Sequence, residues 1–145
     1  MAYVYGTGEG DYVDTSSHSF GVTANTTDGD DNVYMYEKND EVHAGGGNDY
    51  VDGWTGDDYI DGWTGNDTLL GYTGNDTLLG YTGDDAIYGE GGDDKLYGEG
   101  GNDAVYGGDG YDEIWGGAGA DTFNYSEWLD GEVKDYNFWE GDILV

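Results

Sequence analysis

The chain contains no cysteine, and across its 145 residues only three lysines and arginines stand against thirty-three aspartates and glutamates. Without thiols there is no disulfide framework and no thiolate ligand, and with only His18 and His43 as imidazole donors a zinc or copper centre is disfavoured. A formal charge of −30 repels phosphate, so neither nucleic acid nor an anionic membrane is expected as a partner. No apolar run has the length of a membrane-spanning helix, so no membrane insertion is expected. Residues Met1 to Gly10 lack the basic start and apolar core of a signal peptide. Catalysis needs unlike groups converging in a pocket; Ser16, Ser17 and His18 are merely consecutive, which is no triad geometry, and no enzyme is expected.

What the chain does have is period. Eleven nine-residue units run without insertion from Thr26 to Asn124. Their sixth positions read Asp31, Asp40, Asp49, Asp58, Asp67, Asp76, Asp85, Asp94, Asp103, Asp112 and Asp121. Their eighth positions are always apolar: Val33, Val42, Val51, Ile60, Leu69, Leu78, Ile87, Leu96, Val105, Ile114 and Phe123. The fourth position is Gly in every unit except at Lys38, and the first is Gly in the eight units that begin from Gly53 to Gly116. Gly at fixed points of a short period implies a turn whose backbone needs conformations that Gly reaches cheaply, repeated so that each unit stacks on a copy of itself. Each unit therefore reads as a six-residue turn followed by a three-residue strand.

Two units, eighteen residues, make one coil, because two strands of opposite sense need two turns to close. Near-identical pairs support this: Trp54 with Trp63, Tyr72 with Tyr81, and Glu90 with Glu99 share the second position two by two. Same-side turns then lie eighteen residues apart. The aspartates sort into one ladder of Asp31, Asp49, Asp67, Asp85, Asp103 and Asp121, and another of Asp40, Asp58, Asp76, Asp94 and Asp112. Strands stacked roughly 4.8 Å apart would set neighbouring carboxylates against each other at a cost of about 3 kcal/mol per pair at an effective dielectric near 20. The chain has too few basic residues to neutralise them. A hard divalent cation with oxygen ligands fits, and irregular turns suit Ca²⁺ better than the strict octahedron of Mg²⁺.

The unit Gly107-Gly108-Asp109-Gly110-Tyr111-Asp112-Glu113-Ile114-Trp115 matches the pattern G-G-x-G-x-D-x-U-x. The chain thereby resembles the RTX (repeats-in-toxin) calcium-binding nonapeptide family over all eleven units. The resemblance implies an all-β, right-handed parallel β-roll solenoid of 18 residues per coil, with N- and C-terminal caps. It also implies ions between neighbouring same-side turns, held by the repeated Asp and by carbonyls of the Gly-rich turns. Carried over, the carbonyl donors lie in the turns of Gly47, Gly56, Gly65, Gly74, Gly83, Gly92, Gly101, Gly110 and Gly119, for up to about nine Ca²⁺. The site between Asp40 and Asp58 is the weakest, since Met35 and Lys38 replace both Gly of its first turn.

Three segments are expected: an imperfect cap over 1–25, the roll over 26–124 and a closing segment over 125–145. Asp11 lies twenty residues before Asp31 rather than eighteen, and His18 and Phe20 read as packing or surface residues. The tail carries Val133, Tyr136, Phe138, Trp139, Ile143 and Leu144, suited to covering the open end of the roll. Its last residues, Asp142-Ile143-Leu144-Val145, are similar to the ends of serralysin-type proteases read by type I secretion machinery, or form a last capping strand. The protease motif His-Glu-x-x-His is absent.

A thin core, thirty glycines and this charge density predict disorder without cations and folding where calcium is plentiful, in an extracellular, secreted bacterial setting. Ninth-position side chains, Leu70, Tyr88 and Tyr106 on one face and Leu79, Tyr97 and Trp115 on the other, form ladders for a glycan or protein partner, or pack within the sheet. Repeated Thr-Gly-Asn and Thr-Gly-Asp turns, at Thr55, Thr64, Thr73 and Thr82, resemble an ice-binding adhesin region of the same family.

Overall fold

The computed structural model describes residues 2–5, 10, 12–15, 21–124, 132–135 and 140–145, and these residues form strands and turns with no helix. The strands begin short: β1 (Ala2–Tyr5), β2 (Tyr12–Asp14), β3 (Val22–Asn25), β4 (Asn32–Tyr34), β5 (Glu41–His43) and β6 (Tyr50–Asp52). Seven strands of six residues follow: β7 (Tyr59–Thr64), β8 (Thr68–Thr73), β9 (Thr77–Thr82), β10 (Ala86–Gly91), β11 (Lys95–Gly100), β12 (Ala104–Asp109) and β13 (Glu113–Ala118). Shorter ones close the chain: β14 (Thr122–Asn124), β15 (Glu132–Val133) and β16 (Ile143–Leu144). Odd-numbered strands form one eight-stranded sheet and even-numbered strands the other. All pairings are parallel, since each turn carries the chain to the opposite sheet and the next turn brings it back.

The eighteen-residue coil is present as read. Val42, Ile60, Leu78, Leu96 and Ile114 align across one sheet, and Val33, Val51, Leu69, Ile87, Val105 and Phe123 across the other. These two columns are buried and form one core, one side chain deep per strand. Met35 and Ala44, which stand where later units have the first-position Gly, are buried in the same cluster. The first position therefore faces inward.

The strands are longer than the sequence pattern suggested. From β7 onward pairing continues through the first-position Gly to the second and third positions, as in Trp63 opposite Tyr81 and Thr64 opposite Thr82. The chain turns the corner by a positive φ at the second position, between 67° and 77° for Trp54, Trp63, Tyr72, Tyr81, Glu90 and Glu99. L-residues enter this region at a cost of roughly 1–2 kcal/mol each, and these six hold it without breaking the ladder.

Both ends deviate from the eighteen-residue spacing. Ala2 pairs with Val22 and Tyr12 with Asn32, an offset of twenty. At the other end Glu132 pairs with Glu113, and Ile143 with Thr122. Val133 packs against the core, whereas Ile143 and Leu144 stand about half exposed on the last edge strand. Asp11, His18, Phe20, Tyr136, Phe138 and Trp139 lie outside the described residues.

Truncating Leu78, fully buried at mid-column, to Ala is expected to destabilise the roll by about 2–5 kcal/mol in denaturant unfolding at fixed calcium. Glu90→Gly is expected to act oppositely, gaining about 1 kcal/mol in the same assay by relieving the φ of 75°, because Gly108 already serves that register in the next coil.

Candidate metal centre

All eleven sixth-position aspartates are buried, none more than 5 % exposed. Their carboxylates do not simply face one another. From Asp49 to Asp121 one oxygen of each accepts the backbone N–H of the Asp one coil earlier: Asp31 donates to Asp49 at 2.8 Å, Asp49 to Asp67 at 2.8 Å, and Asp103 to Asp121 at 2.9 Å. The second ladder is joined likewise, from Asp40 to Asp58 at 2.8 Å through to Asp94 and Asp112 at 3.1 Å. Each ladder reaches one residue past the repeat. The Val22 amide donates to Asp40 at 2.5 Å, and the Asp121 amide to Asp142 at 3.1 Å. Asp142 thus takes the next sixth-position place, and Ile143–Leu144 pair with β14 as the strand after it.

The other oxygen is the informative one. In Asp49, Asp58, Asp67, Asp76, Asp85, Asp94, Asp103 and Asp121, Oδ2 is buried with no hydrogen-bond partner. A buried acceptor of this kind costs stability. First-position glycines make room for it: a Cβ on Gly62, Gly71 or Gly80 would stand 2.2, 2.4 or 2.2 Å from Oδ2 of the Asp five residues later. At Gly89 that same point lies 2.3 Å from Asp94 Oδ2 and 2.6 Å from the Gly107 carbonyl oxygen of the next coil, and Gly98 repeats the arrangement with Asp103 and Gly116. At Gly89 and Gly98 carboxylate and carbonyl oxygens therefore converge beside a glycine.

The fourth-position glycines supply a further row of oxygens. Gly47, Gly56, Gly65, Gly74, Gly83, Gly92, Gly101, Gly110 and Gly119 all have φ between 126° and 146°. A Cβ on Gly65 would stand 1.6 Å from the Gly47 carbonyl oxygen, so only Gly lets that carbonyl aim at the next coil. Among the described residues these carbonyls accept no hydrogen bond. Lys38 adopts the same left-handed turn at φ 93°, and the bond from Asp40 to Asp58 survives the missing glycines. No group of three or more carboxylates or imidazoles that would hold a metal occurs among the described residues. An ion here needs main-chain oxygens, and the donor set, one partnerless carboxylate oxygen plus carbonyls, fits a hard cation.

Electrostatics favour the same reading. Burial pushes Asp58 up to about 8, Asp67, Asp94 and Asp103 to about 7, and Asp49 and Asp76 to about 6. The donated amide partly offsets this, and neighbouring aspartates add to it for all six. Holding these groups ionised in the fold at neutral pH requires a compensating positive charge.

The RTX calcium-binding nonapeptide repeat matches residues 36–69, 70–105 and 97–127, more than half of the chain. The chain belongs to the RTX calcium-binding repeat family. No curated protein and no solved structure gives a significant match. RTX nonapeptide repeats bind calcium, so Ca²⁺ is the ion that these oxygens suit. The RTX roll is a structural, calcium-binding repeat rather than a catalytic fold, typical of secreted bacterial proteins.

The sequence reading missed a ladder at the fifth position and the exposed rings at the second, and gave the ninth-position column two readings. Fifth-position Asn and Asp form a second hydrogen-bonded ladder of opposite direction: the amide of Asn66 donates to Asn48 Oδ1 at 2.9 Å, and that of Asp84 to Asn66 Oδ1 at 3.0 Å. The turn Asn and Asp side chains thus bond between coils at the surface. Ninth-position aromatics are half-buried and stack on each other, Tyr88 on Tyr106 at 4.9 Å and Tyr97 on Trp115 at 4.5 Å, so they pack within the sheet. The second-position rings are more exposed than these, Trp54 and Trp63 being 51 % and 57 % accessible. A 3.6 or 2.0 period would not separate these columns; the nine-residue frame contained the signal as the run Trp, Trp, Tyr, Tyr.

Because the folded-state values of these carboxyls lie above their ordinary value of 3.8, their stabilisation is complete below that value and is lost as pH rises through about 6 to 8. In chelator the chain is therefore expected to gain β-sheet circular dichroism between pH 8 and about pH 5.5, protons standing in for metal. In saturating Ca²⁺ the gain is expected to vanish.

Proposed function

We propose that the chain is a calcium-triggered folding module that works in the extracellular medium after secretion. The carrying observation is the row of buried Oδ2 atoms without partners along both Asp ladders. In this reading each ion sits between same-side turns, bound by sixth-position carboxylates and by carbonyls of the Gly-rich turns, the fourth-position glycines included. Without ions the ladders concentrate negative charge that three basic side chains cannot neutralise, and a core one side chain deep does not offset the ordering entropy of a glycine-rich chain. At submicromolar calcium the chain stays unfolded; at millimolar calcium each occupied site adds RT ln(1 + [L]/Kd) to stability and the roll closes. The nine neighbouring pairs along the two ladders set the upper number of ions.

Titration with CaCl₂ followed by far-ultraviolet circular dichroism is expected to show a cooperative change from coil to β signal between roughly 0.1 mM and several mM, with no such change in MgCl₂. Asp76→Asn, which keeps the side-chain acceptor for Asp58 but removes a charge at mid-ladder, is expected to move the midpoint to higher calcium. A chain already folded in chelator at neutral pH would overturn the proposal.

A further inference from the structure

The second-position columns differ between the two sheets at one point. On the even sheet the column runs Tyr36, Trp54, Tyr72, and each ring rests on the next, Tyr36 on Trp54 at 5.6 Å and 26°, and Trp54 near Tyr72 at 6.3 Å. On the odd sheet Trp63 neighbours Tyr81 at 6.4 Å, but the place before Trp63 holds Gly45. The ring that covers Trp54 on one face is missing from the other. What remains is a cleft of about 430 Å³ walled by the exposed face of Trp63, floored by Gly45 and Gly46, and bordered by Thr27, Asp28 and His43. A smaller space of about 310 Å³ continues it beside Trp63, Thr64, Tyr81 and Thr82.

Two polar groups converge on that gap. A Cβ at Gly46 would meet Thr64 Oγ1 at 3.0 Å and Asp28 Oδ1 at 3.4 Å, one on each side. Thr55, Thr73 and Thr82, which share the third position with Thr64, turn their hydroxyls to the carbonyls of Tyr36, Trp54 and Trp63. Thr64 makes no such bond among the described residues. His43 is held between Asp61 at 2.6 Å and Glu41 at 3.1 Å, which fixes its ring as the third wall.

We propose that this cleft binds a neutral pyranose, whose apolar face stacks on Trp63 as Tyr36 does on Trp54 while its hydroxyls bond to Asp28 and Thr64, and that a second ring of the same unbranched glycan extends along the outer edges of Trp63 and Tyr81. An aromatic wall with a carboxylate acceptor and a hydroxyl suits a ring with one apolar face and hydroxyls at its edge. The charge of −30 excludes uronic or sulfated sugars. The site uses the folded roll as scaffold, so it rests on the calcium reading for its assembly but not for its ligand.

The test uses the full chain in saturating Ca²⁺, with circular dichroism showing that it is folded. Cellohexaose, maltohexaose and N-acetylchitohexaose are titrated separately while indole N–H resonances are followed by NMR, with trigalacturonate and free tyrosinamide as controls. At least one neutral hexaose is expected to shift the Trp63 indole. Trp63→Gly, which relieves rather than adds strain, and Thr64→Val are each expected to weaken binding about tenfold or more, and Trp54→Gly to leave it unchanged. The proposal is overturned if no neutral hexaose binds the folded chain, if trigalacturonate or tyrosinamide binds as tightly, or if Trp54→Gly weakens binding as much as Trp63→Gly does. A chain that fails to fold with calcium would count against the folding proposal instead.

Discussion

Every atom in the roll has a copy of itself one coil away, and this in-register stacking constrains everything else. It multiplies whatever a position does. An apolar eighth residue becomes a continuous core column, an amide and a carboxylate become a ladder, and one buried charge becomes a row of charges. Stacking also explains the intolerance of two glycine positions. The fourth must let a carbonyl reach the next coil, as Gly47 does at Gly65, and the first must leave space for a carboxylate oxygen, as Gly62 does for Asp67.

Two hydrogen-bonded ladders run through the turns in opposite senses. Buried sixth-position carboxylates accept amides from the coil before them, while exposed fifth-position Asn and Asp accept amides from the coil after. Together they tie successive turns by side-chain bonds as well as by the strand ladders. In eight of these carboxylates, from Asp49 to Asp121, the second oxygen is left over. In the folding proposal that remainder makes the roll conditional, because a partnerless oxygen raised towards neutral pKa by burial opposes folding until a proton or a cation reaches it.

The surface follows from the same repetition, and its interest lies where repetition fails. Ninth-position rings are consumed by stacking on their own copies. Second-position rings project further, held by left-handed backbone, and where Gly45 interrupts their column a cleft opens beside Trp63.

Much of this was legible in the chain alone. A period of nine with invariant Asp and alternating apolar residues determined the coil length, the parallel sheets, the core column, the two Asp ladders and a hard cation as their counterpart, because a side chain's place in a solenoid depends only on its position in the repeat. The sequence could not say where each strand ends, since the corner at the second position depends on a φ that Trp, Tyr and Glu rarely adopt and that stacking imposes. Nor could it distinguish the two oxygens of one carboxylate, tied and untied, or show that Asp142 continues a ladder across a spacing of twenty-one residues. Those features arise from contacts between coils, and a contact between coils exists only after the chain has stacked.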